Sequence, residues 1–348
     1  MIKKTILWWG RFDPNYSRNR IIRQYLKKLN YDVIDFRPLI SKFGYEEALL
    51  KNLTKTDIVW VPCFRQRDIL SASKWCSKKD IKLIIDPLIS AWDKVVNEKK
   101  ISVSKKEEKK LNAKEAFLFS KADIVLADTY LHADLFVNKL GVNKRKIFIL
   151  FVGAEERLFK PSLSKKIADK NFEILFYGSF ISLQSTQTII KAAKLCSIYK
   201  NIRWVLLGSG PDLDKCKKLA QNFANIIFEK DIEYSKLASR INQADLLLGI
   251  FGKSNKAGNV IPNKVFQSLA CGKTIITRKS DAYPKNLLGE NNGVIFIEPE
   301  NPKALYNAVL TIFKNKTSLQ KSHNYARILY ETYFSEKIII KQLKKILQ

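Results

Sequence analysis

Strand-like and helix-like patterns alternate along nearly the whole chain, in two separate runs, and this limits the fold more than any other feature. β-branched and apolar runs fall at residues 5–9, 32–36, 57–61, 82–85, 123–127 and 146–151, with amphipathic stretches near 21–29, 46–53, 68–77 and 129–140 between them. Parallel strands need a long crossover, usually a helix, so this alternation predicts a parallel sheet covered by helices on both faces. Residues 153–171 break the pattern with Pro161 and several lysines. A second run then begins, with strands at 172–177, 203–207, 226–228, 245–250, 274–277 and 294–297 and helices near 186–198, 213–223, 235–242 and 302–313. The expected fold is α/β, with two Rossmann-like, doubly wound domains facing across a cleft. Their expected bounds are 1–155, a linker at 156–171, and 172–325. A C-terminal helical segment, 326–348, should pack back towards the first domain. Its last part, from 331, reads as one basic amphipathic helix lined by Phe334, Ile338, Leu343 and Ile346. Ligands of such folds bind beyond the carboxyl ends of the strands.

At 348 residues, 46% hydrophobic, the chain can build two cores. No apolar run approaches the roughly 18 residues of a membrane span, and the first residues lack a signal-like apolar core. The five cysteines form no C-x-x-C pair, so a disulfide framework or zinc site is not expected and a reduced, cytoplasmic protein is. The net charge of +29 would attract nucleic acid, anionic lipid or phosphorylated substrates. It is spread along the chain and dominated by lysine. The dense stretch 94–121 reads either as a plain solvated helix or as an arm resting on an anionic membrane surface. A nucleic-acid partner is not expected, because basic and aromatic residues are not interleaved and no binding motif is present.

The richest chemistry lies at 251–277, FGKSNKAGNVIPNKVFQSLACGKTIIT. Pro262 suits a first helical turn, Val265 and Leu269 give the helix an apolar side, Gly272 ends it, and a β-branched strand follows. Lys264 and Gln267, three apart, share another face near the helix start. Free backbone N–H groups, a helix N-terminus and a lysine brought to one spot make an anion site. Two further glycine turns close strands of the same sheet: Tyr177-Gly178-Ser179-Phe180 and Leu207-Gly208-Ser209-Gly210-Pro211. Their spacing is not the G-x-G-x-x-G of dinucleotide enzymes.

On these residues the second half resembles the GT-B fold glycosyltransferases of family 4, which move sugars from nucleotide-sugar donors with retention of anomeric configuration. YGSFISLQSTQTIIKAA is similar to the family's strand–glycine–helix opening, WVLLGSGPDLDKCKKLA to its LLGxGP segment, and VIPNKVFQSLACGKTIIT to its P-x-x-x-E-A-x-A-C-G-K-P-V-I core. NKLGVNKRKIFILFVGAEERLFKP resembles the phrase that closes the first domain. The resemblance implies a donor site at Gly178, Ser179, Phe180, Gln184, Gly208, Gly210, Asn259, Asn263, Lys264 and Gln267. The family's paired glutamates fall on Asn259 and Gln267 here, and its usual first-loop lysine on Gln184. Gln267 still offers an uncharged acceptor to a donor ribose. The charge facing the diphosphate passes to Lys264, with Lys253 or Lys256 beside it.

The resemblance assigns the acceptor to the first domain. Gly10 and Arg11 end its first strand; Arg11, Arg18 and Arg20 could hold an acceptor phosphate or the donor diphosphate, or simply bridge to Asp13 and its neighbours. Asp86, with Asp93 second, stands where the family places a group touching the reacting sugar. Asp86 could stabilise an oxocarbenium-like centre or accept the acceptor's proton, or could be a turn residue before Pro87. His132 and His323 are assigned no role, and no metal motif or separate cofactor is expected. The reading is a glycosyltransferase with a UDP- or GDP-type donor and a glycan or lipid-linked acceptor. It would serve cell-envelope polysaccharide or glycolipid synthesis, in the cytoplasm or peripherally on the inner face of the membrane. The alternatives are an inactive nucleotide-sugar binder and a basic nucleic-acid-binding protein.

Overall fold

The structure, a computed structural model, describes residues 3–53, 56–98, 103–162, 171–287 and 293–348. The chain forms two compact units: residues 1–152 with 336–348, and residues 153–335. Each is built on one six-stranded sheet in which every neighbouring pair is parallel.

The first sheet contains β1 (Lys4–Trp9), β2 (Tyr31–Phe36), β3 (Ile58–Val61), β4 (Lys82–Ile85), β5 (Ile124–Ala127) and β6 (Ile147–Ile149), in the order β2-β1-β3-β4-β5-β6. Alternation along each strand sends side chains into two cores. Leu7, Trp9, Val59, Val61, Leu83 and Ile85 fill one face. Ile6, Trp8, Ile58, Trp60 and Ile84 fill the other. Trp8 and Trp60 are register partners on β1 and β3 and stack at 5.3 Å. The second core is closed by Ile339, Leu343 and Ile346 from the helix Glu336–Leu347. Each such side chain contributes about 1.5–3 kcal/mol on burial.

The second sheet contains β7 (Phe172–Tyr177), β8 (Ile202–Leu207), β9 (Ile226–Glu229), β10 (Leu246–Leu248), β11 (Ile275–Arg278) and β12 (Val294–Ile297), in the order β12-β11-β10-β7-β8-β9. Its core joins Ile174, Phe176, Trp204, Leu206 and Leu248 to Ile189 and Ile190 of the helix Thr186–Leu195 and to Leu305 and Val309 of the helix Pro302–Lys314.

Several expectations shift. The tail is two helices, Lys316–Tyr333 and Glu336–Leu347, separated at Phe334 and Ser335. The apolar positions serve different cores: Phe334 packs on Phe266 at 4.9 Å in the second unit, while Ile339, not Ile338, enters the core of the first. Residues 163–170 of the expected linker lie outside the described residues. Of its earlier part, Phe159 is buried and packs on Tyr234 at 5.5 Å within the second unit. The basic stretch 94–121 has residues 99–102 outside the described residues and otherwise gives the helices Ala91–Glu98 and Lys105–Ser120. The second of these starts in a capping box made by Ser104 and Glu107, and Phe119 anchors it in the core. Among the described residues no helix is long and apolar enough to cross a membrane.

Candidate functional site

In the second sheet the strand order reverses between β7 and β10, so the loops leaving their carboxyl ends diverge and open a crevice. The glycine turns sit there. Gly208 has φ +135°, and a Cβ on it would lie 2.2 Å from the Gly178 carbonyl oxygen; a Cβ on Gly210 (φ +145°) would lie 2.6 Å from the Phe180 nitrogen. Only glycine allows the two turns to approach so closely. Their backbones are stitched together: Gly178 N–H donates to the Leu207 carbonyl at 3.0 Å, and Phe180 N–H to the Ser209 carbonyl at 2.8 Å. On the other side, Phe251 N–H donates to the Gln184 carbonyl at 3.1 Å and Gly252 N–H to the Leu183 carbonyl at 3.2 Å. The loops after β7, β8 and β10 thus form one continuous rim.

Lys264 lies beneath that rim. It belongs to the first turn of the helix Asn263–Ala270, and Pro262, expected inside that turn, is instead its extended N-cap residue. The ammonium donates to Gln184 Oε1, lies 3.1 Å from where a Gly178 Cβ would stand, and sits 3.9 Å from the centre of the Phe176 ring. Lys264 is 6% exposed, and no carboxylate among the described residues pairs with it. Burial holds its pKa well below the ordinary lysine value. Gln267, one turn on, accepts from the Tyr177 hydroxyl at 3.0 Å. Gly178, Phe180, Gln184, Gly208, Gly210, Lys264 and Gln267 are therefore assembled at one place. Ser179 is exposed on the same turn. Asn259 ends the short helix Asn255–Asn259 and Asn263 opens the next, both half-buried. Lys253 is on the surface, 3.4 Å from Glu300.

Arg278, at the end of β11, received no role from the sequence. Its Nη1 donates to the Gly252 carbonyl at 2.7 Å and to the Ser254 carbonyl at 3.2 Å, and Ser280 Oγ–H donates to the Gly258 carbonyl. These two side chains hold the loop after β10 in place. Only its position at a strand end hinted at such a role.

The carboxyl edge of the first sheet is arranged differently. Arg18 and Asp86 hold each other. Both are 0% exposed; Arg18 Nε lies 2.8 Å from each Asp86 oxygen, and its Nη1 donates to the Leu150 carbonyl at 2.9 Å. Burial pushes the Asp86 carboxyl up, and Arg18 opposes that shift. Asp93 is buried in the first turn of the helix Ala91–Glu98. Beside it Glu115 accepts from Ser90 Oγ–H at 2.5 Å and from the N–H groups of Ala91 at 2.7 Å and Trp92 at 2.9 Å. Gly10, at φ +134°, turns the chain out of β1, and Arg11 is exposed just beyond it. His132, left without a role, is buried with Nδ1 2.5 Å from Asp128 Oδ1. Among the described residues no His, Cys, Asp and Glu cluster could hold a metal ion.

Two Rossmann-like sheets, one with glycine turns drawn together above a buried lysine, can be set beside known proteins. Residues 160–329 match the family model of the glycosyl transferases, group 1. The match lies in the second unit and spans just under half of the chain. The chain is 24% identical over 239 residues to the uncharacterized glycosyltransferase MJ1069 of Methanocaldococcus jannaschii, a match covering 66% of the chain but only 59% of that relative's length. In fold it is similar to Anabaena Alr3699/HepE solved in complex with UDP, with a TM-score of 0.76, 12% identity and 99% of each chain covered. It is also similar to sucrose-phosphate synthase (tll1590) from Thermosynechococcus elongatus, with a TM-score of 0.78, 13% identity, and 99% and 98% covered. The fold is the two-domain GT-B type.

Proposed function

We propose that this chain transfers a sugar from a nucleotide-diphosphate donor, bound by the second unit, to an acceptor hydroxyl bound by the first. The observation that carries the reading is the buried Lys264 ammonium set against Gly178 and Gln184 with no carboxylate among the described residues to neutralise it. A diphosphate is the ligand that would supply the missing negative charge. Ser179, exposed on the Gly178–Phe180 turn, stands on the solvent side of this lysine, while the Gly178 and Phe180 N–H groups are held by Leu207 and Ser209. In transfer the bond from the anomeric carbon to the diphosphate oxygen breaks, and negative charge grows on that oxygen. Lys264, fixed before the reaction, would stabilise it. Gln267 would take a ribose hydroxyl as an uncharged acceptor. UDP is the favoured nucleotide, since HepE was solved with UDP and with UDP-glucose. Retention, a hexosyl donor, a glycan or lipid-linked acceptor, and work at the inner membrane face in cell-envelope synthesis extend this reading from the family resemblance. Asp86 then serves as a positioning residue through Arg18 rather than as the proton acceptor.

A thermal-shift panel of UDP, GDP, ADP and CMP with their sugars tests the donor site. A selective rise with UDP and its sugars, followed by released UDP on adding acceptor, is the expected result. Flat curves would remove the reading. A shift without turnover would favour the inactive binder, which Asn259 and Gln267 at the family's glutamate positions motivate.

A further inference from the structure

In the first sheet the strand order reverses between β1 and β3. The loops after β1, β2 and β3 enclose a cavity of about 470 Å³ there. Four cationic side chains line it: Arg11, Lys42, Arg65 and Arg67. Among the described residues Arg11, Lys42 and Arg67 form no ion pair. Two acids stand beside the lining: Asp68, 0% exposed and bound to Arg65 with Nε 2.6 Å from Oδ2, and Glu47, paired with Lys51 and near enough to Arg11 to feel its charge. Arg65 is also fixed by its Nη2 bond to Ser41 Oγ at 3.1 Å. Gly10 allows this: a Cβ there would stand 3.2 Å from both Cγ and Nε of Arg65. Apart from Ser41 the rest of the wall is apolar and open to solvent. Leu39 is 77% and Ile40 57% exposed, and Phe43 beside them 52%. Their loop is pinned by the Leu39 N–H donating to Glu47 at 2.7 Å. Scattered exposed apolar residues are ordinary, but three within five positions, on a pinned loop beside unpaired cations, form a patch of two chemistries.

We propose that this cavity binds the phosphate or diphosphate of an acceptor that carries an apolar chain. Arg11, Arg65 and Arg67 would hold the anion and Leu39, Ile40 and Phe43 the first part of the chain. The assignment rests on the transferase reading above, because it names the acceptor class. Guanidinium forks match phosphate oxygens in pairs, and a preset Arg65 loses little freedom on binding. A free sugar phosphate would leave the apolar wall unused, and a neutral glycan would leave three cations unpaired.

The test uses the whole chain and phosphatidylcholine vesicles doped with a polyprenyl phosphate. Vesicles doped with phosphatidylglycerol to equal charge, and inorganic pyrophosphate, serve as comparators. Sedimentation should show preferential binding to the polyprenyl phosphate vesicles. Arg67→Ala, at an exposed position, should weaken it about tenfold, as expected for one lost charged hydrogen bond. The double change Leu39→Ser with Ile40→Ser should weaken it similarly without altering pyrophosphate binding. Equal binding to both vesicle types, unmoved by these variants, would overturn the proposal, as would pyrophosphate binding as tight as the lipid phosphate. The UDP thermal shift is read on the same samples: its absence in the parent defeats the transferase reading, whereas its presence with no lipid-phosphate preference defeats only this one.

Discussion

The two sheets have the same number of parallel strands and handle charge at their carboxyl edges in opposite ways. In the first unit buried charges are paired or fully hydrogen-bonded: Arg18 with Asp86, Arg65 with Asp68, and Glu115 with Ser90 and two backbone N–H groups. In the second, the rim is mostly backbone drawn together by glycines, and the buried Lys264 has an amide and an aromatic ring for company. Where the edge is buried and paired, as at Arg18 and Asp86, its charges are already spent on the fold; the cations that stay unpaired there, Arg11, Lys42 and Arg67, line the outer cavity. An edge with an unneutralised lysine is less stable than it could be and gains stability when an anion arrives. The teaching is that a site in this fold is found by asking which buried charge lacks its counterion, not by counting charges.

The sharpest break of that contrast is in the first unit. Arg18→Met should destabilise it by about 3–5 kcal/mol, because Asp86 stays behind as an uncompensated buried charge. Adding Asp86→Asn to it should restore a large part of the loss. Chemical denaturation of the two single variants and the double variant measures the coupling. If the second change restores nothing, the pair does not act as a closed unit and the contrast falls.

Lys264→Met should do the reverse in the second unit. Transfer should fall about 10²–10³-fold, the scale for losing one preset electrostatic contact to a leaving group. The unliganded protein should meanwhile melt higher. Lys264 has a lower pKa in the fold than in the unfolded chain, so the unfolded chain holds the proton more tightly at neutral pH and folding opposes that preference. Removing the amine removes this cost, and the gain should shrink as pH rises towards the ordinary lysine value of 10.5. A variant that is both less stable and inactive would mean that the lysine is a structural member like Arg18.

How far the sequence reaches follows the same division. The strands were legible because β-branched runs report burial locally, and the glycine turns because positive φ and close backbone approach demand glycine. Lys264 was legible from its place in a helix start. Arg18 and Asp86 were not recognisable as partners: they are 68 residues apart, and each alone looks like a cleft residue. Arg278 clamps the loop that carries Gly252 and Ser254 from a strand end 24 residues away, a tertiary fact without local pattern. The tail read as one helix because its apolar spacing runs on, although Phe334 and Ile339 serve different cores. Arg65 and Arg67 drew no attention because nothing in their spacing marks the strand reversal that brings them beside Arg11.

The two histidines carry the contrast into pH. His132 has a carboxylate beside it, whereas His323 Nδ1 accepts from the Thr274 N–H at 3.0 Å, and burial with Lys273 nearby pushes its pKa down to about 4. The unfolded chain takes the proton near 6.5, so stability is fully present above that pH and lost as pH falls towards 4. The loss can reach about 3 kcal/mol for a shift of this size. His323→Asn keeps an acceptor for Thr274 and cannot titrate. Melting followed from pH 7 to pH 4 should show a shallower decline in that variant. An unchanged decline would move the acid sensitivity to the carboxylates.

The smallest effect separates turns that need close approach from turns that need only a backbone angle. Gly141 of the first unit has φ +65°, and nothing lies within 4 Å of where its Cβ would stand. Gly141→Ala should therefore cost about 1 kcal/mol, the price of the angle alone. Gly208→Ala meets a less accessible angle, φ +135°, and also the Gly178 carbonyl at 2.2 Å, so the rim must part. Its cost should exceed that of Gly141→Ala, within the roughly 1–3 kcal/mol stored in such strain. The decisive reading is the donor-induced shift in melting temperature. Gly141→Ala should leave it intact and Gly208→Ala should reduce it, because displacing Gly178 moves its turn off Lys264. If both variants keep the full shift, the approach of the two turns serves packing alone, and the donor site must be built by the loop after β10.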